Sequence, residues 1–302
     1  FAVVGQRLHP VQQVAHGRAY GPALAAAEGQ TWLAYQRPAT DGTFQIFLCR
    51  RTADGWTVPV RVSDLPGNNW CPALTALPDG RAAIGWDGYA AGSYDVYLRF
   101  VEADGTLGDL VRLSDDERFH AHLALAPAPG GSVWAAWNRA QSDWGKDNHP
   151  YRSTRIFERN FLHARRFVEV RRVFADRVYP VHPVLQDDHL DAVLPAQHHE
   201  RPRLRSGPRG MLHLGLRTNA GEPRGGHRSE KRWQAVALRY DGVAWSEPVE
   251  LGEAHGLSTG AIDLLPLADG RILAAACGEG GPAREKTDVT FRWPKDYDFE
   301  KG

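Results

Sequence analysis

The sequence has one methionine, three cysteines and no excess of charge of either sign. Lys+Arg and Asp+Glu both number 36, so the basic excess that general nucleic-acid binding requires is missing. Cys49, Cys71 and Cys277 cannot all pair, and none stands in a Cys-x-x-Cys spacing, which argues against a disulfide framework or a zinc ribbon. No apolar run is long enough to span a membrane.

No signal peptide is visible, and the first residue is Phe1 rather than Met. A start of this kind predicts a processed chain or an excised fragment. These features do not fix the compartment, and export to the periplasm or the cell exterior is the interpretation that we favour.

Turn-forming and aromatic residues are abundant, with 31 Gly, 20 Pro and 10 Trp. Many turns combined with many aromatics are typical of short strands joined by tight loops. Residues 21–64 align almost without gaps on residues 71–115, so that Pro22-Ala23-Leu24 recurs as Pro72-Ala73-Leu74. Further copies open near His120, Glu200 and Gly260. The chain is therefore built from internal repeats.

Each copy predicts four short strands, with Asp-Gly turns and near-continuous apolar runs such as residues 46–48. Sheets buried on both faces by their neighbours are typical of the blades of a β-propeller. We predict an all-β propeller of about five four-stranded blades, with six as the alternative. Residues 1–302 form one domain, residues 138–199 hold a long irregular insertion with part of it in outer strands, and the N-terminal strand at residues 11–14 closes the ring.

Polar and aromatic residues stand just before the first strand of each copy and just after the second, where a propeller opens its channel mouth. Trp32 and Trp137 are expected in the core instead. The predicted ligand-binding residues at the mouth are Tyr20, Trp70, Tyr94, Asn138, Trp144, Lys146, His199 and Arg217.

Carboxylates from three copies are candidate catalytic groups. Asp87, Asp147 and Glu200 could supply an acid and base for cleavage of a glycosidic bond. Alternatively, His120 or Tyr20 could abstract a proton beside a uronate carboxylate. Asp87-Gly88 and Asp147-Asn148 are equally interpretable as turn residues, which form local hydrogen bonds.

A divalent metal is the one cofactor that the sequence suggests. His120 and His122 stand two residues apart, and residues at this spacing face the same side of a regular strand. Two imidazoles on one face can bind a metal together with a carboxylate. The alternative is that these histidines bind loop backbone or line a hydrated channel.

The blade pattern, with Pro-Ala-Leu, Asp-Gly-Arg and residues 94–99 (Tyr-Asp-Val-Tyr-Leu-Arg), resembles sialidase-type propellers. The Ser-x-Asp-x-Gly-x-Thr-Trp signature of those proteins is absent, so sialidase activity is not implied. A closer resemblance is to an uncharacterised bacterial family, in which the propeller precedes a PHP-type metal-dependent hydrolase domain. It is carried by Trp86 with residues 93–99, by Trp137 with residues 143–147 and by residues 240–249. The resemblance implies a propeller that belongs to a larger protein, with a C-terminal catalytic domain beyond this chain.

Three functions follow as hypotheses. The first is a binding module for a carbohydrate or another polar small molecule within a hydrolase-type protein. The second is a self-sufficient glycoside hydrolase or polysaccharide lyase with its site at the channel mouth. The third is a protein-interaction scaffold, for which an exposed apolar rim would be expected.

Overall fold

A computed structural model describes residues 2–4, 7–9, 13–15, 17–114, 116, 118–140, 166–180, 199–219, 233–254 and 262–276. Within these ranges the regular structure is β-strand, apart from two short 3₁₀ turns at Pro129–Gly131 and Pro208–Gly210. None of the described segments is a helix capable of crossing a membrane. The predicted all-β fold class is therefore confirmed.

A hairpin of β1 (Ala2–Val4) and β2 (Arg7–His9) precedes five further sheets. Four of these repeat one antiparallel meander, and in the first of them two short strands both pair with the third strand. The strands are β3 (Tyr20–Ala27), β4 (Gln30–Pro38), β5 (Phe44–Thr52), β6 (Gly55–Trp56) and β7 (Val60–Arg61) in sheet 1; β8 (Asn68–Ala76), β9 (Ala82–Ala90), β10 (Ser93–Val101) and β11 (Val111–Arg112) in sheet 2; β12 (Phe119–Ala128), β13 (Ser132–Ala140), β14 (Phe167–Phe174) and β15 (Arg177–Pro180) in sheet 3; β16 (His199–Ser206), β17 (Leu212–Asn219), β18 (Trp233–Tyr240) and β19 (Val249–Ala254) in sheet 4; β20 (Ile262–Pro266) and β21 (Ile272–Ala276) in sheet 5.

Within residues 138–199 the structure describes 138–140, 166–180 and 199. These residues include β14 and β15, which are the third and fourth strands of sheet 3. Outer strands are thus present in part of this stretch, as expected, and the irregular insertion stays a prediction. Ring closure by residues 11–14 stays a prediction, as does the number of blades, because residues 11 and 12 lie outside the described ranges.

Apolar side chains fill the space between each pair of successive sheets. Trp32 lies in the core and is 1% exposed, and Trp137 is fully buried, as the sequence predicted. The clusters that join neighbouring sheets include Trp32, Ile46, Ile84 and Trp86 between sheets 1 and 2; Val96, Leu98, Leu125 and Val133 between sheets 2 and 3; Trp134, Leu204, Leu214 and Leu238 between sheets 3 and 4; Ala235, Ala237, Ile262 and Leu264 between sheets 4 and 5. The sheets therefore stack face to face, as the blades of a propeller do.

A bulge interrupts the first strand of each of sheets 1 to 4. The register against the second strand shifts at this point in all four sheets. One residue of each bulge has a left-handed backbone, and these residues are Gly21 (φ 57°), Cys71 (φ 52°), His122 (φ 63°) and Arg201 (φ 57°). Such a conformation costs a non-glycine residue about 1–3 kcal/mol, so the fold around the bulge must compensate for it.

The second strands of sheets 2 and 4 approach the next sheet closely at a glycine. A Cβ at Gly85 would lie 2.3 Å from Leu123 Cδ2 and 2.7 Å from the carbonyl oxygen of Tyr97. A Cβ at the equivalent Gly215 would lie 2.9 Å from Ile262 Cγ2. These glycines are therefore required by close packing between sheets.

The repeated Arg-x-Ser-Asp segment positions the third strand of its own sheet. Its serine hydroxyl accepts a hydrogen bond from a backbone amide of that strand and donates to a polar side chain one residue earlier. The contacts are Ile46 N to Ser63 Oγ (2.9 Å), Ser63 Oγ to Gln45 Oε1 (2.7 Å), Val96 N to Ser114 Oγ (3.3 Å) and Ser114 Oγ to Asp95 Oδ1 (2.7 Å). Both serines are buried, which explains why the motif recurs.

We expect Gly85→Ala to lower the free energy of unfolding by about 1–3 kcal/mol, because the added methyl group overpacks the contact between sheets 2 and 3. Chemical denaturation measures the change. Gly215→Ala is the matched comparison and should cost less, since its nearest neighbour is a single side-chain methyl at a longer distance. An unchanged midpoint for Gly85→Ala would contradict this packing.

Candidate functional site

The first strands begin and the second strands end at the same edge of each sheet, which we call the entry edge. The register pairs Tyr20 with Gln36 in sheet 1 and Asn68 with Tyr89 in sheet 2. Phe119 pairs with Ala140 in sheet 3. Most of the described candidate side chains therefore stand at one edge of the stacked sheets.

A polar side chain from the second strand of one sheet binds the bulge of the next sheet. We call Gln36, Asp87 and Asn138 the latch residues, because they occupy equivalent positions on β4, β9 and β13. Their contacts are Cys71 N to Gln36 Oε1 (2.7 Å), His122 N to Asp87 Oδ2 (2.8 Å), Leu123 N to Asp87 Oδ1 (3.3 Å) and Arg201 N to Asn138 Oδ1 (2.9 Å). The left-handed residues Cys71, His122 and Arg201 thus each have a partner for the backbone amide despite the irregular backbone.

Asp87 is the only charged member of the latch set, and it is 3% exposed. Burial raises the pKa of its carboxyl from 3.8 to about 7, and the amides of His122 and Leu123 act in the opposite direction. The thiol pKa of Cys71 is raised to about 11, mainly by burial and to a smaller extent by the negative charge of Asp87. A carboxyl that exchanges its proton near neutral pH can act as an acid or a base.

His120 is fully buried and both of its ring nitrogens have protein partners. Trp137 Nε1 donates to His120 Nδ1 at 2.9 Å, so the hydrogen of the ring lies on Nε2, which contacts Asp116 Oδ1 at 2.7 Å. An analogous bond joins Trp86 Nε1 to Asn69 Oδ1 at 2.8 Å in sheet 2. Both ring nitrogens of His120 are thus engaged by neighbouring side chains of the described structure, and its roles as a general base and as a metal ligand stay predictions.

The bulge also separates His120 from His122. The left-handed backbone of His122 breaks the alternation on which a shared metal face depends. His122 Nδ1 lies 3.1 Å from Asn138 Oδ1, the oxygen that also accepts the Arg201 amide. The described residues contain no group of three metal-ligating side chains, and a metal site at His120 and His122 stays a prediction.

An aromatic cluster occupies the entry edge of sheets 2 and 3. Tyr94 lies at its centre, with ring centroids 4.7 Å from Tyr89, 5.8 Å from Trp70 and 5.2 Å from Phe119. The guanidinium of Arg166 stacks over Phe119 at 4.9 Å. Trp70, Tyr89 and Tyr94 are half-buried, so parts of their rings face solvent.

Burial raises the pKa of Tyr94 above its ordinary value, with smaller contributions from Tyr89, Asp87 and Cys71. The latch carboxyl of Asp87 is therefore electrostatically close to the aromatic cluster. Together they form a surface with both apolar rings and polar groups, as ligand sites commonly have.

The remaining predicted site residues fall into three groups. Tyr20 is 45% exposed and packs edge-on against Phe44 at 5.8 Å, while Arg217 is 1% exposed within β17. His199 and Glu200 open β16, where Glu200 is the backbone partner of Arg217. The predicted residues that lie outside the described ranges are Trp144, Lys146 and Asp147.

Several residues of this site were not predicted from the sequence. Tyr89 and Phe119 complete the aromatic cluster, and Cys71 shares the electrostatic environment of Asp87. The recurrence of an aromatic residue followed by a polar one, as in Tyr35-Gln36, Trp86-Asp87 and Trp137-Asn138, was a usable signal for the latch positions. The structure adds that the polar member contacts the next sheet.

Meandering four-stranded sheets stacked face to face define a β-propeller. Consistent with this class, the chain is similar to a protein of unknown function from Dyadobacter fermentans, at 14% identity and a TM-score of 0.53 over 85% of this chain and 74% of that one. It is also similar to an α-L-arabinanase from Penicillium chrysogenum solved with arabinobiose, at 13% identity and a TM-score of 0.53 over 85% and 75%. No protein-family model and no curated protein sequence matches the chain.

We expect Asp87→Asn to preserve the fold and to flatten the pH dependence of stability. In the folded protein Asp87 binds its proton more tightly than in the unfolded chain, because its pKa is raised from 3.8 to about 7. Its contribution to stability is therefore present at acidic pH and is lost as pH rises through 7. Denaturation at about pH 5 and about pH 8 should show a smaller difference for the Asn variant than for the wild type.

Asp87→Ala is the companion variant and should be less stable than Asp87→Asn by about 1–3 kcal/mol. It leaves both amides without an acceptor, whereas Asn keeps one acceptor oxygen for the closer amide of His122. Equal stability of the two variants would contradict the latch role of this side chain.

Proposed function

We propose that this propeller is a binding module for a carbohydrate or a similar polar small molecule, and that it belongs to a larger hydrolase-type protein. The observation that carries the proposal is the aromatic cluster at the entry edge, where Trp70, Tyr89 and Tyr94 are half-buried beside the Asp87 carboxyl. Aromatic rings supply apolar contact to sugar faces, and neighbouring polar groups bind hydroxyls.

The geometry of the cluster supports binding by a prearranged surface. The Trp70 ring packs against both Tyr94 at 5.8 Å and Tyr89 at 6.3 Å, so it loses little freedom when a ligand binds. Rings that are fixed before binding reduce the entropy cost of association. Similarity in fold to an arabinanase solved with arabinobiose supports a saccharide over other polar ligands.

A self-sufficient glycoside hydrolase or lyase is the second candidate, and the raised pKa of Asp87 favours it. A carboxyl with a pKa of about 7 is suited to donate a proton to a leaving oxygen at neutral pH. Glycoside cleavage needs a second carboxylate about 5–10 Å away, and Asp147 and Glu200 remain the proposed partners. We place the binding module first because the Asp87 carboxyl already accepts two amide hydrogen bonds.

We expect Trp70→Ala to weaken saccharide binding about tenfold or more, corresponding to roughly 1.4 kcal/mol or more, because it removes the ring at the edge of the cluster. Isothermal titration against neutral and acidic oligosaccharides is the measurement. Tyr179→Ala is the matched control, since Tyr179 is an aromatic residue 43% exposed on the outer strand β15. Equal weakening by both variants, or by neither, would count against the cluster as the site.

The same oligosaccharides distinguish the binding-module hypothesis from the enzyme hypothesis. If Asp87 is a general acid, Asp87→Asn should reduce turnover by about 10²-fold or more while the folded protein stays intact. Product formation is followed by reducing-end release and by absorbance of unsaturated uronates. Binding without product for the wild-type chain would overturn the enzyme hypothesis and leave the module standing.

A further inference from the structure

A second polar feature lies at the entry edge of sheet 1, away from the aromatic cluster. A concave pocket of about 530 Å³ is lined by Arg18, Arg37, Arg61 and Phe47 together with the loop at residues 38–40. This loop joins the second and third strands and therefore belongs to the entry edge. Three guanidinium groups thus face one pocket of a protein whose formal net charge is zero.

Two of these arginines are held in place. Arg37 stacks on Phe47, with its Cζ 4.0 Å from the ring centroid. Arg61 donates from Nε to the carbonyl oxygen of Ser63 at 2.5 Å. The interactions fix the side chains without neutralising their charge, because a ring face and a carbonyl group carry no formal charge.

Other arginines of the described chain are paired with carboxylates, such as Arg99 with Asp64 and Arg205 with Asp263. Within the same described ranges, no ion pair joins Arg18, Arg37 or Arg61 to a carboxylate. Asp41 and Asp64 lie close enough to interact with Arg61 electrostatically and offset part of its charge. Among the described residues, the three arginines of the pocket therefore leave it cationic.

We propose that this pocket, which we call the arginine pocket, binds the anionic group of an acidic saccharide, either a uronate carboxylate or a sulfate ester. The inference rests on the proposed saccharide function and narrows its ligand class. Guanidinium forks match the geometry of carboxylate and sulfate oxygens, and such charge-assisted bonds are stronger than neutral ones.

The position of the pocket indicates an oligosaccharide rather than a single sugar. Gln36 binds Cys71 of sheet 2, whereas the adjacent Arg37 projects to the opposite face of sheet 1. Cys71 adjoins Trp70 of the aromatic cluster in the chain. Trp70 pairs with Asp87, whose carboxyl binds the bulge of sheet 3, so the cluster faces sheet 3. The arginine pocket and the cluster are therefore separated by sheets 1 and 2, roughly two sheet layers or about 20 Å, which an oligosaccharide of several linked sugars can span.

The test measures binding of oligogalacturonate, of its fully methyl-esterified form and of a sulfated galactan oligosaccharide by isothermal titration. We expect the acidic forms to bind at least about tenfold more tightly than the neutral ester, with an affinity that falls as salt is added. Arg37→Gln should remove most of this preference. Arg271→Gln is the control, because Arg271 is an exposed arginine paired with Asp269 in the turn before β21.

The outcomes separate the two proposals. One outcome is that the neutral ester binds as tightly as the acid, and that binding depends on Trp70 but not on Arg37. In that case the proposed role of the arginine pocket is wrong, and the proposed saccharide-binding function stands. If no saccharide binds, both proposals fall. A preference for the sulfated over the carboxylated ligand, or the reverse, identifies which anionic group the pocket receives. Circular dichroism of Arg37→Gln verifies that any loss reflects binding and not unfolding.

Discussion

The structure depends on hydrogen bonds between latch side chains and the bulges of the neighbouring first strands. A left-handed residue at Cys71, His122 or Arg201 is unfavourable by itself, and its amide would lack a partner in a regular ladder. Gln36, Asp87 and Asn138 supply that partner from the preceding sheet. The same contact therefore stabilises a strained strand and joins two sheets.

This constraint also shapes the candidate site. Because the latch residues must reach the next sheet at the entry edge, polar groups accumulate there beside the aromatic residues that cover the strand ends. Asp87 is buried by this arrangement, and burial raises its pKa to about 7. Asp87 thus accepts hydrogen bonds from the next sheet and also has a carboxyl pKa suited to acid or base chemistry. These two roles are separable only by a substitution that keeps an acceptor oxygen, such as Asp87→Asn.

Much of the fold was predictable from repeated segments, since Pro-Ala-Leu, Asp-Gly turns and Arg-x-Ser-Asp report local strands and turns. The site was less predictable. His120 and His122 stand two residues apart, yet the bulge at His122 places them in different surroundings: His120 binds Trp137 and Asp116, and His122 contacts Asn138. Alternation along a strand holds only where the strand is regular.

The sequence by itself determined the all-β class, the repeat of four strands and the placement of Trp32 and Trp137 in the core, because these follow from local periodicity and hydrophobicity. Only the tertiary structure decided which side chains meet. The partners of Asp87 are 35 and 36 residues away, and the arginine pocket combines an N-terminal residue with β4 and β7. Such contacts depend on how sheets stack, because they join residues of different repeats that are far apart in the sequence.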